Sequence, residues 1–175
     1  MKLKHLSACA LAGLAIVSQQ AFAADGTITF TGQIQASTCT INGGTAADFS
    51  VVLPTVAAAA LTVAGQTAGT TPFQIALTGC PTTGNAHSFF EPGTDTDMTT
   101  GRLKNAGSAT FVQVNLLNDD LTAIDAAKAD GAQNSKQVSL ASGSATLKYR
   151  AQYYATGAAT AGTVNSSVAY TIVYN

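Results

Sequence analysis

Residues 164–175 read VNSSVAYTIVYN, and this stretch decides the fold. Apolar side chains stand at alternate positions along it, and they are Val164, Val168, Tyr170, Ile172 and Tyr174. Alternation of this kind is typical of a β-strand with one buried face. We therefore predict a strand over 164–175 with an apolar, aromatic inner face, followed only by Asn175.

The same alternation recurs along the rest of the chain. In residues 145–155, for example, Leu147 and Tyr149 alternate with charged side chains. Two Ala-rich stretches, 56–64 and 121–129, predict connections with at most a turn or two of helix. Short strands separated by turns predict an all-β fold, an antiparallel sandwich. Its further strands are predicted at residues 26–36, 49–53, 73–79, 86–91 and 112–116.

The first residues have the three parts of a secretory signal peptide. Lys2 and Lys4 give a positive start, residues 11–17 (LAGLAIV) give a short apolar centre, and AFA gives a small-residue cleavage site. We expect residues 1–23 to be removed on export. The apolar stretch is too short to span a bilayer, so we expect no direct membrane anchor.

The composition of the remaining chain argues against several classes of partner. Without Lys2 and Lys4, six basic and nine acidic residues give a net charge of −3. A mildly acidic chain without a basic cluster argues against a nucleic acid or an anionic membrane as a partner. The length suits one domain with its own core.

Export also decides the state of the cysteines. The chain has three cysteines, and removal of the signal peptide takes Cys9 with it. Cys39 and Cys80 then form an even pair in an oxidising compartment, which predicts one disulfide. Closing a loop of about 40 residues stabilises a fold by roughly 4 kcal/mol on the chain-entropy model.

The first strand of the mature chain, within residues 24–36, has an apolar face and no earlier element to pack on. One interpretation is an ordinary first strand of the sandwich, and the other is a donated strand that completes the sheet of another molecule. An apolar strand near one end and an open edge beside the last strand predict head-to-tail assembly into filaments. The face in question consists of Gly26, Ile28, Phe30, Gly32 and Ile34.

Patterns for catalysis and metal binding are weak. Once the signal peptide is removed, His87 is the single histidine and Glu91 the single glutamate, and we expect both to be surface residues. No GxSxG motif supports a hydrolase triad. Asp95-Thr96-Asp97 lacks the glycine and distal glutamate of a calcium loop, so we expect a solvated loop. We predict no catalytic residue, no metal site and no cofactor.

Taken together, the chain resembles the chaperone–usher (type 1-like) fimbrial major subunit family. Gly162 and the penultimate Tyr174 match the family's C-terminal pattern, and the resemblance covers the whole mature chain. The order and spacing of the motifs make the match specific. They are residues 24–34 (ADGTITFTGQI) with Cys39 shortly after, 53–56 (LPTV), 71–80 (TPFQIALTGC), 149–162 (YRAQYYATGAATAG) and 168–175 (VAYTIVYN).

The resemblance implies an immunoglobulin-like sandwich that lacks its last strand, formed by residues 37–175, with residues 24–36 as an N-terminal donor-strand extension. The donor residues would be Gly26, Ile28, Phe30, Gly32 and Ile34. The acceptor groove of the neighbouring subunit would be formed by Gly162, Val164, Val168, Tyr170, Ile172, Tyr174 and Asn175.

The resemblance also implies partners. A periplasmic chaperone would first lend a strand to the groove and anchor the terminal carboxylate of Asn175. An outer-membrane usher would then catalyse replacement of that strand by the extension of the next subunit, which is another copy of the chain or a related pilin. The polymer would be a fimbria on the bacterial cell surface that supports adhesion.

Three other functions have to be separated from this one. Within the family, the alternative is a minor or adaptor pilin of the fimbrial tip. Outside it, the alternatives are a monomeric exported carbohydrate-binding β-sandwich and a small exported hydrolase. The binding module needs exposed aromatic residues, and the chain has no Trp. The hydrolase needs a second catalytic partner near His87.

Overall fold

The computed structural model describes residues 29–31, 39–44 and 47–175. Within these ranges the regular structure is eight β-strands and two short 3-10 turns, with no α-helix. The described residues include no helix that is long and apolar enough to cross a membrane. The predicted signal peptide, residues 1–23, lies outside them.

The larger sheet has five strands, and all its neighbouring strands are antiparallel. The predicted strands at 73–79, 112–116 and 145–155 all belong to it. The strand at 73–79 starts earlier than predicted because Thr67 and Ala68 already pair with its neighbour, across a bulge. The strands are β1 (Thr40–Ile41), β2 (Thr67–Thr78), β4 (Leu103–Lys104), β5 (Val112–Asn118) and β7 (Ser144–Ala155), in the order β1-β2-β7-β5-β4.

The smaller sheet has three antiparallel strands in the order β6-β3-β8. They are β6 (Val138–Ser139), β3 (Asn85–Glu91) and β8 (Ala169–Tyr174). The predicted strand at 86–91 is confirmed as β3. Among the described strands β8 has one neighbour, β3, and it is therefore an edge strand.

Side chains from both sheets meet in one core. Ile75 of β2 and Tyr149 of β7 pack in the same buried cluster as Phe90 of β3 and Ile172 of β8. The rings of Phe90 and Tyr149 meet edge to face, with centroids 5.2 Å apart. Full burial of each such side chain contributes about 1.5–3 kcal/mol. The predicted antiparallel sandwich is therefore confirmed.

The disulfide joins Cys39, just before β1, to Cys80, just after β2, with the two Cα atoms 4.3 Å apart. Next to it, the backbone N–H of Cys39 donates a hydrogen bond of 3.2 Å to the hydroxyl of Tyr174. The disulfide, which flanks strands of the larger sheet, therefore lies beside the end of β8 in the smaller sheet.

Two predicted strands are wrong in extent or existence. Residues 164–168 do not belong to β8, because residues 163 and 165 hydrogen-bond to the loop at 105–109 instead. Residues 49–53 are not a strand, since no described strand pairs with them. The first Ala-rich connection contains one 3-10 turn, Ala58–Ala60, and the other contains turns without helix. A second 3-10 turn, Asn42–Gly44, follows β1.

Candidate strand-acceptor site

The free edge of β8 carries unpaired backbone groups. Asn85 and Asn175 exchange both backbone hydrogen bonds, at 2.8 and 3.0 Å. Hydrogen-bonded pairs alternate along an antiparallel ladder, so the backbone N–H and C=O groups of Val173 and Thr171 also point toward β3. The backbone groups of the intervening residues point to the other side. No described residue pairs with them, and we call this row the open edge: Tyr170, Ile172 and Tyr174.

The residues of the open edge also carry the apolar face of β8. Ile172 is 9% exposed and belongs to the core, while Tyr170 and Tyr174 are half-buried against it. Unpaired N–H and C=O groups therefore lie beside apolar side chains. A strand that paired here would gain main-chain hydrogen bonds and could bury its own apolar face.

The side of β3 that faces away from β8 is closed. Ala86 pairs with Val138 of β6, and the N–H of Ser88 donates to the hydroxyl of Tyr149 at 3.2 Å. At Phe90 the side-chain amide of Gln133 replaces a strand: it accepts from the Phe90 N–H at 3.0 Å and donates to the Phe90 carbonyl at 2.6 Å. The β3–β8 pair thus has one closed side, beyond β3, and one open side, beyond β8.

Residues 47–50, here called the cover segment, lie next to Tyr170. The Tyr170 hydroxyl donates a 2.6 Å hydrogen bond to the carbonyl of Ala47. The ring of Phe49 meets the Tyr170 ring edge-on, with centroids 6.1 Å apart. Burial raises the pKa of Tyr170, and the nearby carboxylate of Asp48 raises it further, because both disfavour a phenolate at this position.

A cavity of about 420 Å³ lies beside the chain segment that leads into β8. Its wall is formed by the chain at 160–164, which hydrogen-bonds to residues 105–110 through Thr163 and Thr160. Gly162 is needed there because a Cβ atom would lie 2.5 Å from the backbone nitrogen of Ala109. The apolar part of the lining includes Val56, Leu61, Val112, Tyr153 and Val164.

The predicted groove residues fall into two groups. Val168, Tyr170, Ile172 and Tyr174 pack on the main core beside the open edge, whereas Gly162 lines the cavity. Val164 does both. Asn175 is exposed and pairs with Asn85.

The predicted donor residues Gly26, Ile28, Gly32 and Ile34 lie outside the described residues. Phe30 is described, and it is 87% exposed.

Two buried polar residues were not recognised from the sequence. Gln133 is 2% exposed, and no local pattern distinguishes it from the exposed amides nearby. The expectation that His87 is a surface residue is wrong. Its side chain is buried, with Nε2 2.7 Å from the carboxylate of Asp130, because the loop after β5 folds over this part of β3. Glu91 is half-buried and accepts from Thr171.

The acidic residues of the loop at 94–108 bind protein donors. Asp95 accepts hydrogen bonds from both the N–H and the hydroxyl of Ser167, and these bonds hold the chain segment that leads into β8. Asp97 accepts from the Gln113 amide at 2.7 Å, and this hydrogen bond lowers the pKa of Asp97. In the part of the chain that is described, no group of three or more His, Cys, Asp or Glu residues could hold a metal ion.

A two-sheet antiparallel sandwich whose last strand leaves one apolar edge open is an incomplete immunoglobulin-like domain. Solved structures share the fold. The P pilus rod subunit PapA covers 79% of this chain and 100% of its own, with a TM-score of 0.61 at 16% identity. A type I fimbria protein and antigen of Burkholderia pseudomallei covers 85% of this chain and 97% of its own, with a TM-score of 0.55 at 30% identity.

Sequence comparisons give the family. The family model for type-1 fimbrial protein, A, matches residues 53–175. The major fimbrial subunit SMF-1 of Stenotrophomonas maltophilia is 52% identical over 93% of this chain and 99% of that protein. The A chain of the type-1 fimbrial protein of Escherichia coli is 32% identical over 99% of this chain and 100% of its own length.

The chain belongs to the type-1 fimbrial protein family, whose members are structural subunits. It is therefore a subunit of a fimbria, a polymer of such subunits on the bacterial cell surface.

Proposed function

We propose that this subunit polymerises by donor-strand exchange, in which residues 24–36 of an incoming copy pair with the open edge of the copy before it. The open edge of β8 is the observation that carries the proposal. The donor segment, with Gly26, Ile28, Phe30, Gly32 and Ile34 on one face, has the alternation that such an edge requires. The exported chain then consists of this extension and a pilin domain of residues 37–175.

The energetics support a long-lived contact. Burial of Ile28, Phe30 and Ile34 contributes about 1.5–3 kcal/mol for each side chain. Each new main-chain hydrogen bond adds about 0.5–1.5 kcal/mol net. Loss of translational freedom and ordering of the extension oppose these terms. The balance favours slow dissociation, which suits a filament under load.

Before assembly the open edge needs a temporary partner, because exposed strand edges aggregate. We propose that a periplasmic chaperone supplies a strand to β8 and binds the chain end at Asn175. An outer-membrane usher then promotes exchange of that strand for the extension of the incoming subunit. The apolar character of Ile172 and its neighbours explains why such protection is needed.

Deletion of residues 24–36 tests the proposal. We expect the deleted chain to be recovered folded only with a chaperone, or after addition of a synthetic peptide of residues 24–36. Size-exclusion chromatography and circular dichroism measure recovery and folding. The deleted chain should also fail to extend a filament, although it should still cap one by accepting a strand. A deleted chain that is monomeric, stable and unaffected by the peptide would contradict donor-strand exchange.

A further inference from the structure

Phe49 of the cover segment is the outermost member of a row of aromatic rings that leads into the core. Its ring lies 6.1 Å from Phe73 as well as 6.1 Å from Tyr170. Phe73 in turn contacts Tyr149 at 5.6 Å, and Tyr149 contacts Phe90 at 5.2 Å. Phe49 therefore covers the place where the aromatic core reaches the open edge.

The cover is held weakly by the residues that the structure describes. Phe49 is 40% exposed, whereas a core phenylalanine such as Phe90 is fully buried. The segment forms no strand, and within the described residues its hydrogen-bond anchor is the bond from the Tyr170 hydroxyl to the carbonyl of Ala47. A segment with few buried contacts and no strand pairing opens at a low free energy.

Pairing of another strand with β8 at Tyr170 conflicts with this cover. A paired strand lies about 4.7–4.9 Å from its neighbour, and side chains directly opposite each other have Cβ atoms about 4.5–5.5 Å apart. The incoming side chain would thus contact the Tyr170 ring from the side on which the Phe49 ring already lies. Both cannot occupy that position, so Phe49 has to move.

We propose that Phe49 is a placeholder: it fills the open edge beside Tyr170 in the unpartnered subunit and is displaced during strand exchange. The proposal rests on the proposed function. The incoming residue is Phe30, because it is the one aromatic side chain between residues 24 and 36. A phenylalanine of the next subunit thereby replaces a phenylalanine of the same chain, and the contact with Tyr170 is conserved.

The rate of peptide insertion tests the placeholder. Full-length chain, freshly refolded and dilute, is mixed with a fluorescently labelled peptide of residues 24–36, and anisotropy follows binding. We expect Phe49→Ala to bind about three- to tenfold faster, since it lacks aromatic contacts that oppose opening. The matched control is Val52→Ala. Val52 lies just beyond the cover segment, is 83% exposed, and should leave the rate within about twofold.

A second variant tests the anchor. Tyr170→Phe keeps the ring but removes the hydrogen bond to Ala47, and we expect it to accelerate insertion as well. Tyr170→Phe also tests the placeholder proposal if the Phe49→Ala variant fails to fold. A peptide with Phe30→Ala should insert more slowly into the wild-type chain, and equal rates for the two peptides would rule out the assignment of Phe30.

Each result separates the two proposals. If the wild-type chain does not bind the peptide at all, donor-strand exchange itself is wrong. If it binds the peptide but Phe49→Ala is unchanged or slower, Phe49 is a fixed wall of the groove, and the placeholder is wrong. Faster binding by Tyr170→Phe or Phe49→Ala, with Val52→Ala unchanged, supports the placeholder.

Discussion

At the scale of single residues, side chains take the place of missing backbone partners. The Gln133 amide bonds the N–H and carbonyl of Phe90 as a peptide group of a neighbouring strand would, and it also donates to the carbonyl of Lys128 at 2.9 Å. The Tyr149 hydroxyl does the same for the Ser88 N–H. A side chain that replaces a backbone partner cannot be predicted from the alternation of apolar and polar residues, because a buried amide and a solvated amide both count as polar in it.

Loss of this buried amide should destabilise the fold. We expect Gln133→Leu to lower the free energy of unfolding by about 1–3 kcal/mol, because it leaves buried backbone groups at Phe90 without partners. Urea denaturation followed by circular dichroism measures the change. The control is Gln137→Leu at an exposed position, which should stay within about 0.5 kcal/mol of wild type. Equal stability of the two variants would mean that Gln133 does not close the edge.

Tyr170 should titrate above the usual range of a tyrosine side chain. Its pKa is raised from 10.0, mainly by burial and then by Asp48. The folded-state pKa therefore exceeds the unfolded one, so the contribution to stability is complete below pH 10.0 and is lost as pH rises through the folded pKa.

Stability measured against pH provides the check. The stability difference between wild type and Tyr170→Phe should shift against the wild type as pH rises from about 9 to about 11. A difference that is constant across this range would show that Tyr170 is not shielded by the cover segment.

At the scale of elements, alternation located strands but not their partners. Residues 73–79, 86–91, 112–116 and 145–155 were predicted correctly, because each has a neighbour on which its apolar face packs. Residues 49–53 carry a similar pattern but are no strand, since a strand also needs a hydrogen-bonded neighbour. The site shows the same limit: the apolar face of β8 was predicted, whereas the closed edge of β3, the cavity and the cover segment depend on contacts distant in sequence.

The chain segment that leads into β8, at 160–165, is held by close contact with the loop at 105–110. We expect Gly162→Ala to lower the free energy of unfolding by about 1–3 kcal/mol, since the new Cβ meets the backbone of Ala109 and Ser108. Thermal or urea denaturation measures this loss. Gly93→Ala is the matched control, because its Cβ would meet nothing closer than 3.9 Å. If both variants keep wild-type stability, the loops must separate more easily than their contacts indicate.

At the scale of the whole molecule, the disulfide ties the start of the described sandwich to the strand beside it. Cys39 also donates to Tyr174, so the covalent link and the end of β8 are in direct contact. Exported context and an even cysteine count were sufficient to predict the bond, since no other partner was available to either cysteine.

Removal of the disulfide should affect the whole fold. We expect the double variant Cys39→Ala with Cys80→Ala to lose roughly 4 kcal/mol of stability on the chain-entropy model. Chemical denaturation of the oxidised wild type against the variant gives the difference. Reduction of the wild type should reproduce the loss, and it should leave the double variant unchanged. A variant as stable as the oxidised wild type would show that the loop is already constrained without the bond.

The contrast between the two sides of the β3–β8 pair limits how many strands this part of the sandwich can accept. With the far side of β3 occupied by Val138, Tyr149 and Gln133, the β3–β8 pair has room for one incoming strand, on β8. Under the proposed donor-strand exchange, a subunit with this one acceptor and one extension to donate adds to a line and does not branch. Unsealing the β3 edge would add a second acceptor, and the expected product would be a cross-linked network.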